Sequence, residues 1–164
     1  MIRLSRLSDY GIVLMAQLAG RAGGAPSNAR EVAAEAHLPL PVVSKVLKAL
    51  AKRGLLVSHR GAKGGYSLAR PPAEITAAEM IAALEGPIGL TECAAHPGQC
   101  VQEANCHVRE PWQRINSVVR RALAEVTLAD LVTRAPPAGD TLPIHQLGSG
   151  PRHARAPLAD GRHR

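Results

Sequence analysis

Apolar residues recur along most of this chain at spacings of three and four, and give way once to two short strand-like runs around a cluster of glycines. Leu7, Gly11, Leu14 and Leu18 share one helical face, and Ile12, Met15 and Ala19 extend the apolar surface round a second side. This predicts a helix from Ser5 or Ser8 to about Arg21, buried against two neighbours. Ser8 is the expected N-cap, with Asp9 in the first turn where the helix dipole favours an acid. After a Gly/Pro turn, Asn28-Ala29-Arg30-Glu31 has the form of a capping box and opens a short helix ending near His37. Leu38-Pro39-Leu40-Pro41 reads as a turn into a third helix running to about Arg53. Val43, Val46, Leu47 and Leu50 face inward on it, and Gly54 is placed as its C-cap.

The runs Leu55–Arg60 and Tyr66–Arg70 are the two strands, joined by the turn Gly61-Ala62-Lys63-Gly64-Gly65. A second capping box, Thr76-Ala77-Ala78-Glu79, starts a helix through about Leu84. Glu85 to Cys106 is irregular, broken by Gly86, Pro87, Gly89, Pro97 and Gly98. From about Val108 a long amphipathic helix sets Val108, Trp112, Ile115, Val119, Ala122 and Val126 on one seam. The seam suits a coiled-coil-like dimer contact; the alternative is packing on its own domain. Thr127–Leu131 adds a short terminal helix, and from Thr133 the periodicity stops amid Pro, Gly, Arg and His. The expected fold is mainly α: a winged helix-turn-helix with a long C-terminal dimerisation helix. Its parts are a DNA-binding domain over 1–84, a cysteine-containing loop over 85–107, the dimerisation helix over 108–132 and a disordered basic tail over 133–164.

Charge narrows the function. The net charge is +7, and Ala36–Ala73 holds seven Lys/Arg with no Asp or Glu. An acid-free basic helix followed by a basic hairpin is what a winged-helix domain presents to DNA. Ser44, Lys45 and Lys48 are candidate base readers, with Lys52 and Arg53 nearer the phosphates. Arg60 and Lys63 lie on the hairpin, where an arginine can enter a narrow minor groove, and Gly64 and Gly65 would let the wing approach phosphates closely. The alternative is an ordinary solvated basic face. A membrane partner is not expected. No apolar run reaches the roughly 18–20 residues of a spanning helix, and the signal-like stretch Gly11–Ala19 is flanked by Asp9 and broken by Gln17. No paired carboxylates, nucleophile–base set or Walker loop points to an enzyme or a small-molecule substrate.

Cys93, Cys100 and Cys106 follow the pattern C-x6-C-x5-C in the turn-rich loop. An odd cysteine count fits a reducing, cytoplasmic setting better than a disulfide scaffold. Three thiolates on one loop can converge on a soft metal centre, with His96, His107, Glu92, Glu103 or Asp9 as candidate fourth ligand. Zinc and an iron–sulfur cluster both accept such a set, and the spacing does not choose between them. Three unrelated thiols are the remaining alternative.

Several short pieces together resemble the Rrf2 family of bacterial transcription regulators. They are Leu7-Ser8-Asp9-Tyr10-Gly11, Ser44-Lys45-Val46-Leu47, Gly54-Leu55-Leu56, Arg60–Tyr66, the triple cysteine and Thr127–Leu131. Within the family the chain looks most like the branch regulating SUF iron–sulfur cluster assembly, whose relatives include the IscR and NsrR regulators. The resemblance implies a homodimer that represses from a palindromic DNA operator, with Cys93, Cys100 and Cys106 holding a 2Fe-2S or 4Fe-4S cluster. In IscR-like relatives the fourth ligand is a His three residues past the last Cys, a position held here by Arg109. In the nitric-oxide-sensing branch an Asp of the other subunit completes the site, and that position matches Asp9, leaving His107 second. Ser44 stands where IscR-like relatives carry an operator-discriminating Glu, and Arg60 matches the family's minor-groove arginine. A cluster-free or zinc-binding, thiol-responsive repressor is the competing reading.

Overall fold

The computed structural model describes residues 4–21, 24–61 and 64–133. Lys63 and the tail beyond Thr133 lie outside these residues. Helix α1 (Arg6–Ala19) begins one turn earlier than its Ser8 cap would place it. Ser5 is the N-cap and its hydroxyl accepts the Ser8 amide; Ser8 itself is wholly buried inside the first turn. Helix α2 (Ala29–Ala36) carries the expected box, Asn28 Oδ1 accepting the Glu31 amide while Glu31 reaches back to the Asn28 amide. His37 closes it in the left-handed region. Helix α3 (Leu40–Lys52) ends with Arg53 as its cap and Gly54 one residue beyond at φ +75°, where a glycine avoids the steric cost of a Cβ.

Strands β1 (Leu56–His59) and β2 (Gly65–Leu68) pair antiparallel, from Leu56 opposite Leu68 to His59 opposite Gly65. A further bridge, Ser27 opposite Tyr66, stitches the hairpin to the segment leading into α2. Helix α4 (Ala77–Glu85) has the Thr76–Glu79 capping box in place. The next stretch is not wholly irregular: it contains a four-residue helix α5 (Glu92–Ala95) and a 3-10 turn at Glu103–Asn105. Helix α6 (Arg109–Glu125) follows, then α7 (Leu128–Val132).

The core sits where α1 meets α2, α3, α4 and α7, and is filled by Leu14, Met15, Val43, Val46, Leu47, Leu50, Ile75 and Met80. With no Phe in the chain, branched aliphatics and methionine carry that burial. Helix α7 is part of it. Leu128 is 0% exposed, and its amide donates to the Ile75 carbonyl at 2.7 Å. The Ala77 amide donates to the Val126 carbonyl at 2.8 Å, placing Thr76 opposite Thr127. The far end of α6 is thereby tied into the junction between wing and α4.

The seventeen residues of α6 span about 25 Å at the helical rise of ~1.5 Å per residue. Asn116 is buried and Val119 and Leu123 are half-buried, so Val119 is only partly available to the expected seam. Val108, Trp112, Ile115 and Val126 of that seam are exposed, and Val118 joins them.

Candidate nucleic-acid interface and cysteine loop

On α3, Lys45, Lys48 and Lys52 follow each other at spacings of three and four and are all exposed, opposite the buried Val43, Val46, Leu47 and Leu50. Ser44 is half-buried at the margin of the lysine face. Arg53 and Arg60 continue the exposed charge toward the hairpin. None of Lys45, Lys48, Lys52, Arg53 or Arg60 forms an ion pair among the described residues, so their charge is available to an outside anion. Arg70 differs from them. It pairs with Glu79 at 2.7 Å and donates to the Glu74 carbonyl, which fixes the base of the wing to α4. Burial raises the Glu79 carboxyl, but hydrogen bonds from the Thr76 amide, Arg70 and the Thr76 hydroxyl outweigh it, and the net position is below the ordinary glutamate range.

The N-terminus of α3 has no side-chain cap, whereas Asn28, Thr76 and Thr127 cap α2, α4 and α7. Pro41 has no N–H, and the Val42 and Val43 amides donate to the Pro39 carbonyl, so the Leu40 amide is the one first-turn donor left for an outside acceptor such as a phosphate oxygen.

The two wing glycines have an intramolecular reason to be glycine. A Cβ on Gly65 would run into the Ser27 carbonyl, because β2 lies against the entry to α2. A Cβ on Gly64 would run into the His59 carbonyl across the turn. The same closeness keeps the hairpin thin. His59 Nε2 and Ser67 Oγ, 2.8 Å apart, bridge the two strands on the outer surface.

Cys93 is buried on α5, its sulfur 3.4 Å from the Thr91 hydroxyl. Cys100 and Cys106 are half-buried in the turns that follow, and all three thiols are free. Among the described residues they are not gathered, with each other or with His, Asp or Glu, into a group of three that could hold a metal. Of the candidate fourth ligands, Glu103 is engaged by Arg109 at 2.7 Å and by the Gly98 amide at 2.7 Å. His107 is exposed just before α6, and Asp9 is exposed on the first turn of α1.

One residue of the site has no signature in the sequence. Asn116 is 5% exposed on α6; its Oδ1 accepts the Leu90 amide at 3.0 Å and its Nδ2 donates to the Ile88 carbonyl at 3.4 Å. Those two bonds hold the segment that leads into the Cys93 helix against α6. An Asn in an amphipathic helix reads as solvated unless its tertiary partner is known.

This combination of an uncapped lysine-faced helix, a thin basic wing and a thiol loop leaning on a long amphipathic helix matches known proteins over nearly all of the described chain. The family model Rrf2, described as an iron-dependent transcriptional regulator, matches residues 4–134. The chain belongs to the Rrf2 family. Among Rrf2 relatives, it is 33% identical over 132 residues to the HTH-type transcriptional regulator CymR of Bacillus subtilis, covering 80% of this chain and 91% of that one. The solved structure of B. subtilis CymR, the global cysteine regulator, superposes with a TM-score of 0.67 at 32% identity, over 83% of this chain and all of that one. T. potens IscR superposes with a TM-score of 0.61 at 27% identity, over 83% and 94%. These Rrf2 proteins are DNA-binding transcription regulators rather than enzymes, and the mainly helical winged fold is theirs. Among the described residues no helix is long and apolar enough to cross a membrane.

Proposed function

We propose that this Rrf2 protein is a repressor that binds a palindromic operator as a homodimer, with an affinity set at an iron–sulfur cluster on its cysteine loop, and that its targets are SUF cluster-assembly genes. The observation that carries the proposal is the position of the three free cysteines, all between α4 and α6 in the segment that Asn116 pins to the candidate dimer helix. The DNA contacts are assigned to Ser44, Lys45 and Lys48 as readers, Lys52 and Gly64–Gly65 at phosphates, and Arg60, with Lys63, on the wing. The exposed Val108, Trp112, Ile115 and Val118 stripe is assigned to the second copy.

Three thiolates with one oxygen or nitrogen donor suit an iron–sulfur cluster in chemistry. Cys93, Cys100 and Cys106 would hold it, with Asp9 of a second copy, or His107, completing the set. When bound, such a group supplies a redox-active, oxidant-sensitive centre. The chain's own part is mechanical. Ordering of residues 90–107 is passed through Asn116 and the Arg109–Glu103 pair to α6, and from the end of α6 through Val126–Leu128 to the base of the wing. DNA affinity changes only if the two states of the loop differ in their preference for the DNA-bound geometry. Anaerobic purification with absorption spectra, iron and sulfide analysis, and operator titrations with and without cluster test this. Equal operator affinities would end the switching proposal.

A second reading is a cluster-free repressor whose thiols respond directly to oxidants or bind zinc. It is favoured by the ungathered cysteines and by the likeness to a cysteine regulator. A colourless protein whose operator affinity changes on oxidation would select it.

A further inference from the structure

Helix α6 has two faces with different tasks. The exposed apolar stripe through Val108, Trp112, Ile115 and Val118 occupies one side. Helical spacing sets Gln113, Ser117, Arg120, Arg121 and Ala124 on the other. That second side, together with α4 and α5, lines an open groove of about 520 Å³. Cys93 lines it too, with alanines and a proline. Neither Cys100 nor Cys106 lines it, so Cys93 is the one thiol it shares with a site built on all three.

The two guanidiniums here differ from other arginines nearby. Arg109 pairs with Glu103, and Arg114 with Glu110, but neither Arg120 nor Arg121 forms an ion pair among the described residues. Arg120 also lines an adjoining cavity of about 390 Å³, whose carboxylate, Glu79, is already held by Arg70. Two unpaired guanidiniums at a concave site, beside the Gln113 amide and short apolar walls, form a receptor for a small organic anion, while the Ser117 hydroxyl is spent on the Arg114 carbonyl. Arginine's planar fork matches a carboxylate with two parallel hydrogen bonds.

We propose that this groove binds a small dicarboxylate, one carboxylate to each of Arg120 and Arg121, with the Gln113 amide beside it. A ligand there touches α5 and α6 together and clamps the Cys93 helix to α6. The site is formed without cluster or DNA but shares Cys93 with the proposed iron–sulfur site, so binding is read on the chain without cluster, where it does not depend on the iron–sulfur proposal.

The test is calorimetric titration of the full chain with glutarate at low ionic strength, with butyrate and inorganic phosphate as comparison arms and hydrogen exchange as a second readout. We expect saturable glutarate binding with a Kd below about 1 mM. Each of Arg120→Gln and Arg121→Gln should weaken it by about tenfold or more, as loss of a charge-assisted pair predicts. Butyrate should bind more weakly, and bound glutarate should slow amide exchange over residues 92–98. Both arginines are exposed, so the variants should fold as the parent does. Absence of saturation, unchanged binding in both variants, phosphate binding as tight as glutarate, or unchanged exchange at 92–98 would each overturn the proposal.

Discussion

Lys52→Gln removes one exposed, unpaired charge from the α3 face without touching the core. The chain presents five such cations in the described part of the basic stretch: Lys45, Lys48, Lys52, Arg53 and Arg60. If each neutralises a phosphate, the slope of log affinity against log salt is about −4.5 per chain and about −9 for two chains on a palindrome, at roughly −0.9 per contact. In the proposed homodimer, losing Lys52 from both copies should therefore make the slope shallower by about 1.8. Fluorescence anisotropy with a labelled operator, from about 50 to 200 mM salt, resolves that change. Lys52→Gln should weaken operator and unrelated DNA alike. Lys48→Gln, at a position proposed to read bases, should instead cost about 1–3 kcal/mol of discrimination at one base pair. Arg114→Gln is the control, because Arg114 is on α6 and pairs with Glu110. A slope unchanged by Lys52→Gln but reduced by Arg114→Gln would show that DNA lies on the other side of the molecule.

Gly65→Ala should destabilise by about 1–3 kcal/mol in urea unfolding, because its methyl group meets Ser27 backbone rather than a side chain able to move. Leu128→Ala should cost about 2–5 kcal/mol and loosen the α6–α7 elbow, since Leu128 is wholly buried in the shared core. Asn116→Leu keeps the volume and removes both loop bonds; faster exchange of the Leu90 amide should report the loss, and an unchanged rate would remove Asn116 from the coupling path. Glu79 sits below its ordinary range when folded, so its contribution is present above the unfolded glutamate value of about 4.3 and is lost as pH falls through the folded one. Acid titration of stability should accordingly show a shallower decline in Arg70→Gln than in the parent.

The helical part of the fold was legible because its signals are local. The Asn28 and Thr76 capping boxes, the inward face of α3 and the glycine after it each depend on residues within a turn or two, and the structure places them within a residue of expectation. Ser8 is the informative miss. It has the chemistry of a cap, as Ser5 does, and only the packing of α1 against its neighbours decides that Ser8 is buried. The basic surface was legible for a related reason, since solvated lysines on one helical face need no partner to be recognised.

What the sequence by itself determined is therefore the set of elements, the acid-free face and the inventory of thiols. What only the tertiary structure decided is which distant residues meet. Gly65 against Ser27, Leu128 beneath Ile75, and Asn116 against the backbone of Ile88 and Leu90 join positions far apart in the chain. The groove beside Arg120 and Arg121 exists only because α4, α5 and α6 meet there. The physical reason is common to all of them. Local preference comes from neighbours along the backbone, whereas a close approach, a buried amide or a cavity depends on elements whose separation the chain order does not encode.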